Sequence, residues 1–395
     1  MRLVHLSDLH LGYRQYQRLT PTGINQREAD VARTFQRAVD HIIRVAPDLI
    51  LIAGDVFHSA RPSNAAILHA FRQFVRLRTE LPQSPIVLVA GNHDTPRTTE
   101  TGSILGLFEQ LGVHVAASET KNFQLLNGEV MVLAVPDVPG AWPAQAERNA
   151  RHNVLLIHAD LTDVVPRYTA EMDRAAVSVT RADLDLATWS YVALGHYHVH
   201  RRVADNAYYA GSIDYTSLNV WGDKSDEDDL GLSGKGFIEF DLDKREHRFH
   251  ALPVSRDLVR LADISARNKS VAELDGEIQR AVEKSKGGID DKIVRVTLRD
   301  VPRHVARELD HKALRDFKKR ALHFQLDLRR EDSFARMGQG APGRRQSVMD
   351  VVREHLTHRE IAADLDRDRL VELGLKYLAD AAKLTVADAV LEVEA

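Results

Sequence analysis

Seven residues carry oxygen or imidazole donors in a fixed order along the chain: Asp8, His10, Asp55, Asn92, His158, His196 and His198. They sit in five short motifs, Asp-x-His, Gly-Asp, Gly-Asn-His-Asp, a lone His, and Gly-His-x-His. Phosphoryl transfer needs positive charge on the non-bridging oxygens and a nucleophile available at neutral pH. Two metals about 3.5 to 4 Å apart supply both. A carboxylate can bridge such a pair with its two oxygens, and that role falls to Asp55. Asp8, His10 and His198 then complete one metal, and Asn92, His158 and His196 the other. His93 follows Asn92 and is followed by Asp94, which is expected to orient its ring. On the leaving-group side His93 serves as a general acid and is not a ligand. A single Asp or His at a strand end is more often a cap or turn residue. The ordered set carries the reading because unrelated turn chemistry has no reason to repeat after so many strands.

The elements that must position these residues are legible as short apolar runs: Leu3 to Leu6, Leu49 to Ala53, Ile86 to Ala90, Val130 to Val135, Val154 to Ile157 and Tyr191 to Leu194. They alternate with helix-length amphipathic stretches, a pattern that predicts a layered α/β domain. Five of the runs end in the ligand motifs, and ligands of open α/β sheets bind beyond the carboxyl ends of strands. Glycine before Asp55, Asn92 and His196 fits a chain that turns sharply while the next side chain faces a ligand. From about 257 to 330 the pattern restarts: strand-like Leu258 to Leu261, a helix near Val271 to Val282, alternating Val294, Val296 and Leu298, a helix near His304 to Arg320, and strand-like Leu322 to Leu328. A Gly-rich stretch with Gly338, Gly340, Pro342 and Gly343 precedes helical spacing through Val348, Val351, Val352 and Leu356, and a second helix through Leu370, Leu373, Tyr377 and Ala381. These helices have no third layer of their own and must dock on the body or on a partner. Asp223 to Asp229, with five acidic residues and one lysine, reads as a solvated loop without catalytic duty.

The 395 residues predict two or three domains, and 44% hydrophobic with 28% charged content is that of a soluble globular chain. No signal peptide is read at the N-terminus, and no run approaches the roughly 20 apolar residues of a bilayer span. The absence of cysteine excludes disulfides, thiolate nucleophiles and Cys-held zinc. A net charge of −4 gives no general attraction to nucleic acid, which would have to be met by a local basic surface or by the metals. Oxygen and imidazole donors without thiolate suit manganese, iron, zinc or magnesium, and the imidazoles move the balance away from magnesium.

The motif set resembles that of the calcineurin-like metallophosphoesterases. Ser-Asp-Leu-His-Leu-Gly-Tyr at 7 to 13, Leu-Ile-Ala-Gly-Asp-Val-Phe-His-Ser-Ala-Arg-Pro at 51 to 62, Gly-Asn-His-Asp at 91 to 94, Gly-His-Tyr-His at 195 to 198 and Tyr-Ala-Gly-Ser-Ile at 209 to 213 narrow it. Together they resemble the SbcD-type nuclease subunit of the SbcCD complex, the bacterial form of the meiotic-recombination-eleven family of DNA-break repair nucleases. The match covers the first 250 residues by motif and the remainder by architecture. It implies a layered β-sandwich core flanked by helices over 1–255, a small α/β DNA-capping domain over 256–330, a linker over 331–346 and ATPase-binding helices over 347–395. It also implies two Mn2+ per subunit, 3'-to-5' exonuclease action on duplex DNA, endonuclease action on single strands, and a cytoplasmic, nucleoid-associated place in DNA repair and recombination. The implied partners are an SbcC-type coiled-coil ATPase and a second copy in a homodimer, for which Ala65 to Leu77 and Ile104 to Leu111 are the candidate helices. His58 matches a position that affects substrate handling. Tyr13, Arg14, Arg61 and Arg97 follow the metal motifs closely enough to contact phosphate. A stand-alone metallophosphatase or cyclic-nucleotide phosphodiesterase shares the ligand set, whereas a scaffold with a decayed site would lack a ligand or His93, and none is missing.

Overall fold

The computed structural model describes residues 1–96, 102–142, 149–165, 174–302, 305–329, 348–358 and 366–381. It divides into two compact units, Met1–Arg330 and Glu331–Ala395. The first opens with β1 (Arg2–Leu6), β2 (Leu49–Ile52), β3 (Ile86–Val89), β4 (His114–Ala116), β5 (Lys121–Leu125), β6 (Val130–Val135) and β7 (His152–His158), of which all but β4 and β5 hold an apolar run read from the sequence. Then come β8 (Asp160–Leu161), β9 (Ser178–Val179), β10 (Tyr191–Gly195), β11 (Arg201–Ala204), β12 (Ala207–Tyr209), β13 (Gly236–Asp241) and β14 (Glu246–Ala251). One six-stranded sheet runs β14-β13-β1-β2-β3-β4 and another β11-β12-β10-β7-β6-β5, while β8 and β9 pair with each other. Within them β1 to β4 are mutually parallel, as are β6, β7 and β10.

Among the strands that end in the candidate ligands, β2 and β3 are apolar at every position because both faces are covered. Leu3, Leu49, Leu51, Val87 and Val89 meet Val132, Val154, Leu156 and Ala193 of the other sheet in a buried layer. The alternate residues Val4, Leu6, Ile50, Ile52 and Leu88 pack instead with Val31, Phe35, Val39 and Phe74 of α1 (Gln26–Val45) and α2 (Asn64–Glu80). The β-sandwich flanked by helices is therefore the architecture found. Asn25 and Ser63 cap the two helices by accepting from Arg27 N and Ala66 N. The expected helix Ile104 to Leu111 is a 3-10 helix, with Leu105 and Phe108 buried.

The acidic segment is not a solvated loop, as its composition suggested. It forms α3 (Val220–Asp229), capped by Asn219 on Gly222 N. Three of its five acids are used inward, while Asp228 and Asp229 are exposed. Lys235 Nζ, itself buried, lies 3.2 Å from Asp223 and 3.0 Å from Glu227, Tyr215 donates to Glu227 at 2.7 Å, and Tyr197 to Asp226 at 2.7 Å. A run of like charges folds when cations and hydroxyls from other elements satisfy it, which composition does not reveal.

Residues 258–328 form a small parallel sheet in which β17 (Ile293–Arg299) lies between β18 (His323–Leu328) on one side and β15 (Leu258–Arg260) and β16 (Ile264–Ser265) on the other. Its core of Leu274, Ile278, Val294, Val296 and Leu298 is covered by α4 (Val271–Glu283), which opens with a Ser270/Glu273 capping box, and by α5 (His311–Arg320). The expected single helix from 304 is broken, because Asp310 caps α5 by accepting from Lys312 N and Ala313 N; His304 lies outside the described residues. Arg18 joins this sheet to the sandwich through Asp291 and the carbonyls of Lys319 and Ala321. In the second unit α6 (Val348–His358) and α7 (Arg367–Ala381) pack on each other, with Arg367 donating to the carbonyls of Leu356 and Thr357. The 331–346 segment lies outside the described residues, and among those described no helix is long and apolar enough to cross a membrane.

Candidate metal centre

Because β1, β2, β3, β7 and β10 run the same way within their sheets, their carboxyl ends share one rim. Backbone bonds stitch the turns beyond them together: Asp8 N to Gly54 O at 3.0 Å, His10 N to Asp55 O at 2.9 Å, and Ala159 N to Gly195 O at 3.3 Å. Four of the seven predicted ligands, Asp8 (φ 52°), His10 (45°), Asp55 (51°) and His196 (103°), hold left-handed or otherwise positive φ. Such conformations cost on the order of 1–3 kcal/mol each and cluster where a site imposes them. The three preceding glycines serve different ends. Gly54 has φ of 88° and faces His158, where a Cβ would stand 2.3 Å from Nδ1. Gly91 and Gly195 have no such torsion; a Cβ there would fall 2.1 Å from Asp55 Oδ1 and 1.7 Å from Ala53 O. They are needed for close approach, and only Gly54 for a turn.

The donor atoms converge. Asp8, His10 and His198 each bring one donor within 4.8 Å of the others, as do Asp8, Asp55 and His158. His10 Nε2 and His198 Nε2 face each other at 3.0 Å, and His158 Nε2 lies 3.1 Å from Asn92 Oδ1. Asp55 Oδ2 is buried and accepts no hydrogen bond. It stands 3.6 Å from His10 Nε2 and 3.7 Å from His158 Nε2, between one imidazole of each proposed set. A buried carboxylate oxygen left without a donor is costly unless a cation completes it, so the residues present fit divalent-metal binding at this carboxylate. Among the described residues His196 belongs to no such triplet; its ring lies 5.2 Å from that of His158, and its N–H donates to both Asp8 oxygens at 3.1 and 3.2 Å. A third triplet, His10, His58 and His93, satisfies the same distance.

Burial holds the His10 ring far below its ordinary pKa, which keeps it neutral as a ligand must be, and drives Asp55 far above its own. A cation would reverse the second shift. His158 Nδ1–H donates to Ala53 O at 2.8 Å, which commits Nε2 to the site.

His93 and His58 are brought beside the ligands, their rings 4.9 and 5.3 Å from that of His10. His93 Nδ1–H donates to His58 O at 2.9 Å, and its backbone N–H to Asp55 Oδ1 at 3.0 Å. Asp94 does not orient the His93 ring. Its carboxylate, fully buried and pushed up to about 6 by that burial, accepts from Val56 N (3.0 Å), Phe57 N (2.9 Å) and Gly91 N (3.2 Å). It ties the turn after β3 to the turn after β2. Tyr13 is buried and donates to Gln15, and Arg14, largely exposed, pairs with Glu28 at 2.7 Å. Arg61, with His58, Asn92, His93, Ile104 and Leu107, lines a cleft of about 860 Å3. Arg97 lies outside the described residues.

Two carboxylates that no strand-end motif marks lie against the Gly-His-Tyr-His turn. Asp160 Oδ1 is 3.2 Å from His196 Nε2, and Asp223 Oδ2 is 4.0 Å from His198 Nδ1. Asp160 stands two residues after His158, the only trace of it in the sequence.

The family described as calcineurin-like phosphoesterase matches residues 1–200. The DNA double-strand break repair protein Mre11 of Methanococcus maripaludis is 30% identical over 258 residues, 61% of this chain and 63% of that protein. Mre11 of Methanocaldococcus jannaschii is 26% identical over 254 residues, again 61% and 63%. Mre11 of Methanosarcina mazei is 24% identical over 367 residues, 80% of this chain and 55% of that protein. The chain thus spans less than two thirds of the length of these relatives.

Proposed function

The chain belongs to the calcineurin-like phosphoesterase family, and from that premise we propose that it is a manganese-dependent DNA nuclease of double-strand-break repair. The observation that carries the metal chemistry is Asp55 Oδ2, buried without a donor between His10 and His158. Asp8, His10 and His198 would hold one cation and Asn92, His158 and His196 the other, with Asp55 shared. When bound, such a pair neutralises the phosphate oxygens and lowers the pKa of the attacking water. His93 hydrogen-bonds through Nδ1 to His58 O, so proton exchange with the leaving group runs through Nε2. His58 supplies that carbonyl and one wall of the cleft, which is its part in substrate handling, while Asp94 fixes the turn that carries His93.

DNA as substrate, with 3'-to-5' exonuclease and single-strand endonuclease action, is supported by the likeness to the Mre11 proteins. The proposed domain division is nuclease over 1–255, capping sheet over 256–330, linker over 331–346 and ATPase-binding helices over 347–395. Leu373 and Tyr377, 49% and 68% exposed on α7, support a helical partner of the SbcC ATPase type. Leu68, Val75 and Leu107, exposed while Phe74, Leu105 and Phe108 are core, support a homodimer through the α2 face.

Incubation of an end-labelled duplex with Mn2+ tests the reading. Wild type is expected to degrade it, and Asp55→Ala and His93→Ala to lose on the order of 100-fold or more in rate. Cleavage of a small chromogenic phosphodiester with DNA untouched, with and without the ATPase, would favour the stand-alone phosphodiesterase and overturn the nuclease. Deletion after residue 345 is expected to leave nuclease activity and abolish co-purification with the ATPase.

A further inference from the structure

The Gly-His-Tyr-His turn is held from outside by groups with no part in the ligand set. Lys235 Nζ donates to His198 O at 2.8 Å, and Tyr197, between the two histidines, donates to Asp226. These contacts fix the backbone of the turn and leave the rotation of the two imidazoles to be set by what faces their outer nitrogens. His198 turns Nε2 toward His10 Nε2 at 3.0 Å, so Nδ1 is its outer nitrogen, and Asp223 Oδ2 stands 4.0 Å from it. His196 has Nε2 3.2 Å from Asp160 Oδ1, so Nδ1 is the nitrogen that remains to ligate. Asp160 is 4% exposed, and its Oδ1 accepts no hydrogen bond, so the fold itself does not use that oxygen. Metal-bound histidines usually give their second N–H to a carboxylate or carbonyl, which fixes the tautomer and raises the basicity of the ligating nitrogen.

We propose that Asp160 and Asp223 are positioning residues, each setting the tautomer and rotation of one histidine of the turn. Resting on the two-cation reading above, this extends the site by a second layer of charge. The two are unequal. Asp160 comes within hydrogen-bond length of His196, whereas Asp223 is held beyond it by Lys235 at 3.2 Å and acts on His198 through charge alone. Helix α3 thereby gains a duty despite its distance from the ligand motifs. It presents Asp223 and Glu227 to Lys235, and Lys235 holds the His198 carbonyl.

The experiment is a titration of the full chain, stripped of metal, with Mn2+ by calorimetry and with Co2+ by visible absorption, alongside the melting temperature of the stripped protein. Asp160→Ala is expected to weaken one of two Mn2+ sites about 10- to 100-fold and to alter the Co2+ bands, with the stripped protein melting as wild type. Asp160→Asn, which keeps an acceptor but loses the charge, is expected to lie between. Asp223→Asn is expected to have a smaller effect of the same kind. In a His196→Ala background Asp160→Ala is expected to add nothing. Unchanged affinity and spectrum in both Asp160 variants would overturn the assignment, as would a lowered melting temperature of the stripped protein with unchanged affinity. A wild type that binds neither metal would sink the two-cation reading itself, so the two failures are distinguishable.

Discussion

Replacing Asp94 by alanine isolates the part of the site that is neither ligand nor acid. The carboxylate accepts from three buried backbone N–H groups, two of them in the turn that carries Asp55. Leaving each without an acceptor costs ~2 kcal/mol, or ~6 kcal/mol together. Even with these three donors in place burial lifts the carboxyl from 3.8 to about 6, so removing the charge offsets part of that cost. The net expectation for Asp94→Ala is a loss of a few kcal/mol. It should appear as a lower urea midpoint at pH 7 together with weakened Mn2+ binding, because the Asp55 turn loses its tether. Asparagine should be nearly as damaging, since its amide puts a donor against backbone donors. The decisive comparison is a double-mutant cycle with His93→Ala. If Asp94 works by tying the two turns, its cost is the same with or without the imidazole. A coupling above ~1 kcal/mol, or Asp94→Ala with wild-type stability and slowed catalysis alone, would refute the argument and restore Asp94 as the orienter of His93.

Two further expectations follow from burial at the rim and between the sheets. Gly195→Ala places a Cβ 1.7 Å from Ala53 O, the carbonyl that anchors His158, and should cost upwards of ~3 kcal/mol and weaken metal binding; Gly276→Ala, where nothing lies within 4 Å, is the control and should melt at or slightly above wild type. Burial lowers His5 to about 3 and His200 to about 4, each from 6.5. A depressed histidine contributes stability that is present above pH 6.5 and lost as pH falls toward the folded values, so unfolding midpoints should drop between pH 6.5 and 4, by up to ~2 kcal/mol per histidine at pH 5. His200→Phe should remove about half of that slope, and an unchanged slope would show that other groups govern the acid limb.

The sequence alone determined the strands that carry the ligands. Leu49 to Ile52 and Ile86 to Val89 are apolar at every position, a pattern that at this length fits strands covered on both faces, and a motif directly after such a strand is fixed in space by the strand's end. The seven proposed donors and His93 were legible for that reason. Residues whose role depends on what another element brings to them were not. Asp94 reads as a partner of its neighbour His93, yet its acceptors are satisfied by Val56, Phe57 and Gly91 across two turns. The acidic run 223–229 reads as solvated, yet Lys235, Tyr197 and Tyr215 reach it from elsewhere and fold it into a helix. Gly91 and Gly195 look like turn residues, and only the approach of Asp55 and Ala53 shows that it is space they supply. Asp160 and Asp223 carry no strand-end motif: one stands two residues past His158 and the other in the acidic run, and neither position says what it faces. A side chain's chemistry and its place in a strand are local properties written residue by residue, whereas hydrogen-bond satisfaction, close approach and charge compensation are properties of pairs, and tertiary structure alone decides which pairs meet.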